Sequence, residues 1–132
     1  MTEGDYRKTI AKNWLAKAGG ALEIAEVSLN KKELISCVNR MYYAAFYAVS
    51  AVLANEGIKY GKHTAVRSAL NRDLVKTGRL SKKYGDYYNA LFDDRMAGDY
   101  EPSTDFTFDE VQNLLAITKE FISQCKKIVE ST

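Results

Sequence analysis

Residues 32–55 are apolar on nearly every side. Leu34, Ile35, Val38, Met41, Tyr42, Ala45, Phe46, Val49, Val52 and Leu53 leave no wide polar face at helical spacing. A helix of this kind holds its shape in water only when neighbours cover several of its sides. It is therefore the central helix, and the rest of the chain must pack around it. Its apolar run, residues 41–54, includes Ser50 and falls short of the roughly 20 residues that a membrane span needs. Gly57 stands where a C-terminal glycine would close the helix.

The remaining sequence supplies the neighbours. With 8 Gly and 1 Pro in 132 residues, punctuation is sparse, which favours long helices over many short strands. A first helix is read over residues 6–28, with Ile10, Trp14, Leu15, Ala18, Leu22 and Ala25 at steps of three and four. Gly19 and Gly20 inside it imply either a close helix approach or a kink. A third helix spans residues 63–76, with Val66, Ala69, Leu70 and Leu74 inward and Gly78 beyond its end. A fourth runs from a Ser81 N-cap to residue 97, with Tyr84, Tyr88, Leu91 and Phe92 inward. A loop over 98–106 holds Pro102, and a fifth helix opens on a Thr107–Glu110 capping-box pattern and continues to Val129. The fold class is all-α: an antiparallel up-and-down bundle of about five helices, one domain over residues 1–132.

Cys37 and Cys125 are isolated in helical patterns and read as reduced, packed thiols of a cytoplasmic protein. No signal-peptide pattern opens the chain. His63 is the one histidine, so no zinc site requiring two can form, and no metal or cofactor is expected. Net charge is +2, unevenly spread. Lys59, Lys62, Arg67, Arg72, Lys76, Arg79, Lys82 and Lys83 face Asp73 alone within residues 59–83. This is either a phosphate-attracting patch or a solvated face.

Arg40 is the anomaly of the central helix. A guanidinium amid apolar residues is costly unless it is paired or reaches solvent. Tyr43 and Tyr47 share its face, Tyr47 lying about 10 Å along the axis. An ion pair to Asp99 or another carboxylate, with the tyrosines as core, is one solution; a cleft that holds an anion is the other.

The run Arg40-Met41-Tyr42-Tyr43-Ala44-Ala45-Phe46-Tyr47 resembles the HEPN family (higher eukaryote and prokaryote nucleotide-binding domains), in particular its small single-domain prokaryotic members. Further matches follow in the family's order: His63 with Val66, then Val75-Lys76-Thr77-Gly78-Arg79-Leu80, then Arg95 with Asp99-Tyr100. The resemblance covers about residues 8–130. It implies an all-α bundle that often dimerises, placing two arginine–histidine motifs beside a shared cleft. Many HEPN proteins are metal-independent endoribonucleases, and many are toxins paired with a small nucleotidyltransferase antitoxin. Some are modified on a tyrosine near the motif, which here means Tyr43 or Tyr47.

The family motif places a histidine four to six residues beyond the arginine. With six between, that position is Tyr47. Metal-free RNA cleavage needs a base for the 2′-hydroxyl, an acid for the leaving oxygen and a cation for the phosphorane. Arginine suits the last role. Tyrosine titrates near ~10 and is a poor base at pH 7, whereas histidine titrates near ~6.5. His63 serves as base only if it folds against the Arg40 face; otherwise it is an exposed residue opening helix three. Catalysis is accordingly expected at Arg40, Tyr47 and His63, and RNA or nucleotide binding at Arg40, Tyr43, Lys62, Arg67 and Arg95, with Asn39, Asp99 and Tyr100 in support. The competing expectation is a non-catalytic interaction subunit.

Overall fold

The computed structural model describes residues 1–100 and 105–131, with backbone alone for 95–100. Five helical segments follow one another: α1 (Glu3–Asn30), α2 (Leu34–Asn55), α3 (His63–Ala69) continuing into a π-helical stretch (Leu70–Val75), α4 (Lys82–Tyr100) and α5 (Phe108–Glu130). No strand occurs among the described residues, and none of their helices is long and apolar enough to cross a membrane. The protein is an all-α bundle.

Local chemistry sets the helix ends, and in places moves them from where periodicity put them. α1 starts at Glu3 because Thr2 and Asp5 form a reciprocal capping box. The Thr2 backbone N–H, and after it the Thr2 side chain, hydrogen-bond the Asp5 carboxylate and hold it below the usual carboxylate range. α1 also runs two residues past 28. It closes through Lys32 at φ 59°, with Glu33 N–H donating to the Ser28 carbonyl at 2.9 Å and Lys32 N–H to that of Leu29 at 2.9 Å. This is a Schellman closure with lysine in the glycine position, so α2 begins at Leu34 rather than at 32. Gly57 closes α2 in the same way at φ 78°, with Ile58 donating to Leu53 at 2.9 Å. At α5 the Thr107 hydroxyl accepts from Glu110 N–H at 3.2 Å. The helix expected to end at 97 runs to Tyr100, and Pro102 lies outside the described residues.

One continuous core surrounds α2, drawing on α1, α3, α4 and α5. The α1 face turned inward is alanine-rich: Ala11, Ala18, Ala21 and Ala25 are buried, while Trp14, Leu15 and Leu22 are half-buried and Ile10 is exposed. Small side chains let α1 lie close along α2. Gly19 and Gly20 do not create that approach, since a Cβ added at either meets nothing within 4 Å. At Gly85 of α4 the approach is real: an added Cβ would stand 2.8 Å from Val75 Cγ2. Across the core, Tyr87 donates to the Thr118 hydroxyl, which donates in turn to the Leu114 carbonyl at 2.8 Å.

Candidate functional site

Between Asn39 and Ala54, α2 is buried everywhere except along one line: Asn39, Arg40, Tyr43, Tyr47, Ser50 and Ala54. From Arg40 onward the steps are three, four, three and four, so these residues form a single seam. The seam opens between α1 and α3. Trp14 approaches from the α1 side, its ring 5.7 Å from that of Tyr47. His63 approaches from α3 and stacks on Phe46 at 4.2 Å.

At the upper end Arg40 is half-buried. Its Nη2 donates to Asn39 Oδ1 at 3.1 Å, and its Cζ lies 5.1 Å from the Tyr43 ring centroid. Among the described residues no carboxylate forms an ion pair with it. The guanidinium rests on a π-face and an amide, both neutral. His63 meets the same Tyr43 ring edge-on at 6.0 Å. It is half-buried rather than exposed, and its Nδ1 lies 2.7 Å from the hydroxyl of fully buried Tyr42. That hydrogen bond fixes the imidazole plane.

Tyr47 sits lower on the seam. The Lys17 ammonium lies 5.0 Å from its ring and 5.2 Å from that of Trp14. Tyr47 and His63 both contact Tyr43 and Phe46, so one aromatic cluster separates and supports them. Below Ser50 the seam widens into a cavity of about 410 Å³ bounded by α1, the end of α2 and residues 57–60.

The structure thus gathers Asn39, Arg40, Tyr43, Tyr47 and His63. It disperses part of the basic patch. Arg67 stacks on Phe92 at 4.2 Å and pairs with Asp93 at 3.3 Å, clamping α3 to α4 beside a reciprocal Asn71–Asn89 amide pair. Arg72 pairs with Asp73, Arg79 with Glu56 and Lys83 with Glu120. Lys62 is exposed at the N-cap of α3. The side chains of Arg95, Asp99 and Tyr100 lie outside the described residues. Sequence reasoning missed three participants: Tyr42 as the partner of His63, and Trp14 and Lys17 as the α1 wall. Trp14 and Lys17 are three residues apart on one helix face. Nothing local says that this face borders α2's open line.

Fold and seam together define a helical-bundle protein with a cation–aromatic cleft along its central helix. Residues 11–128 match the family described as the HEPN domain, and the chain belongs to that family. It is 36% identical over 124 residues, 94% of each chain, to a UPF0332 protein of Thermotoga maritima. It is 29% identical over 126 residues to a protein of Methanocaldococcus jannaschii whose name marks it as a candidate toxin, covering 96% of this chain and 85% of that one.

Proposed function

We propose that this HEPN protein is toxin-like and binds the phosphate backbone of RNA at the upper seam, where it cleaves slowly without a metal ion. The observation that carries the reading is the Arg40 guanidinium, held half-buried on Tyr43 and Asn39 with no carboxylate paired to it among the described residues. Similarity to a candidate toxin supports the class.

In this reading each role falls to a residue on or beside the seam. His63, oriented by Tyr42, takes the 2′-hydroxyl proton as that oxygen attacks phosphorus. Arg40 neutralises the phosphorane. Tyr47 donates a proton to the departing 5′-oxygen, leaving a 2′,3′-cyclic phosphate. A phenol, with an ordinary value of about 10, is a weaker acid than an imidazolium and protonates the leaving oxygen less effectively, so turnover is weak. Lys62 and Arg95 belong to the flanking binding surface, with Asp99 and Tyr100 as supports, and Arg67 borders it from its clamp on Asp93 and Phe92. The protein acts as a homodimer in the cytoplasm, with no resident cofactor.

The test is labelled structured RNA in EDTA, followed by anisotropy and by gel. Arg40→Ala is expected to weaken binding at least tenfold, since a charge-assisted contact contributes about 1.5–3 kcal/mol. Arg40→Lys should recover only part, because a point charge lacks the planar fork. Unchanged binding in Arg40→Ala would refute the reading.

A second reading makes the chain a non-catalytic subunit paired with a nucleotidyltransferase antitoxin. Exposed Ile24, Val27 and Ile35, near the α1–α2 turn, favour it, because they offer an apolar surface for a protein partner. Light scattering of the chain alone and co-expressed with a small nucleotidyltransferase of the same organism separates the two. A stable mixed complex lacking RNA cleavage selects this reading.

A further inference from the structure

We propose that the cavity at the foot of the seam is a base-binding subsite, seating one nucleobase of a single-stranded RNA whose backbone crosses Arg40. The inference rests on the RNA reading above and adds to it a second contact point and its chemistry.

At about 410 Å³ the cavity has the size of a small-ligand site. Its walls are rings, Tyr6, Trp14 and Tyr60, over an apolar floor that includes Ile10 and Leu53. Tyr6 and Tyr60 are 60% and 40% exposed. Flat apolar faces standing in water beside an apolar floor suit a base, which presents a π-face of its own. Lys59 supplies a positive charge, which Arg7 leaves in excess by pairing with the cavity's carboxylate. Glu3, the one carboxylate of the lining, is already engaged by Arg7 Nε at 3.2 Å.

The cavity also continues a pattern. Arg40 lies over Tyr43, Lys17 lies between Tyr47 and Trp14, and Lys59 shares the cavity with Tyr60. Cations and rings thus meet at three places, from Arg40 down to the cavity beside Ala54, a rise of about 21 Å along α2. A charged backbone carrying stackable bases at regular intervals fits that arrangement, and a span of this length takes several nucleotides.

Trp14 is the chain's one tryptophan, so its emission reports on the cavity wall. The experiment titrates the full chain in EDTA with a labelled oligoribonucleotide of about eight residues. Anisotropy reads total binding and Trp14 emission reads the cavity. Tyr60→Ala and Lys59→Glu, both at exposed loop positions, are compared with wild type after circular dichroism confirms folding. Saturable quenching that tracks anisotropy is expected, with about tenfold weaker binding in Tyr60→Ala. Arg40-dependent binding with unchanged emission, or with both variants equal to wild type, overturns the subsite and leaves the RNA reading standing. Flat anisotropy in wild type overturns the RNA reading and the subsite with it. A blue shift that grows with protein concentration without RNA assigns the groove to a second copy and overturns the subsite alone.

Discussion

Position 47 holds a phenol where the resemblance to the HEPN motif sets an imidazole, and the chain's one histidine, His63, opens α3. The two rings are not equivalent. His63 is tethered by its Nδ1 to the Tyr42 hydroxyl, whereas Tyr47 lies against Trp14 beneath the Lys17 ammonium. Restoring histidine at 47 puts a group that titrates near neutrality one step down the seam from Tyr43. Tyr47→His is therefore expected to raise metal-free RNA cleavage at least tenfold, within the range a well-placed acid–base group supplies. Product formation in EDTA checks it, with the Tyr47→His, Arg40→Ala double variant as background. Equal rates in wild type and Tyr47→His would show that position 47 takes no part in proton transfer.

Among the elements, the packing of the π-helical stretch on α4 is the most exacting. Lys76 N–H reaches back five residues to the Asn71 carbonyl at 3.0 Å, and the wide turn brings Val75 over Gly85. Valine is stiff about χ1 and has little room to withdraw. Gly85→Ala gains about 1 kcal/mol of helix propensity but overpacks at a cost of about 1–3 kcal/mol, so a net loss near 1 kcal/mol is expected. In a Val75→Ala background the clash is gone and the same substitution should stabilise. Urea unfolding of the four proteins reads this reversal, and a loss of equal size in both backgrounds would discard the clash. Helices of this bundle were legible from apolar spacing, and α2's central place followed from its having no polar face. Boundaries were less so, because Lys32 takes a left-handed turn that the sequence pattern assigns to glycine. Arg40, Tyr43 and Tyr47 could be placed on one face from spacing alone. Their neighbours His63, Trp14 and Lys17 could not, since which face each outer helix turns inward depends on the whole assembly.

At the scale of the whole molecule, several buried ionisable groups among the described residues are weak acids held neutral. Burial pushes the Cys37 thiol up to about 11 and that of Cys125 up to about 12, from an ordinary value of 9.0. Burial likewise raises Tyr87 and Tyr88 above their usual phenol value. Each group keeps its proton in the folded chain at a pH where the unfolded chain has released it. Stability from these groups is complete below about pH 9 and declines as pH climbs toward 12. Thermal midpoints measured from pH 8 to 11 should fall steadily above 9, and Cys125→Ala should flatten the fall. A midpoint level to pH 11 would contradict the burial of these thiols and phenols.

The walled-in helix with its single open line has an evolutionary corollary. A library of random changes across residues 34–55, sorted only for chains that still fold, should return its variety between Asn39 and Ala54 along one thread at positions 39, 40, 43, 47, 50 and 54. Elsewhere in that span, novelty and collapse arrive together. Within that stretch of α2, the thread is where this protein can change what it does while remaining what it is.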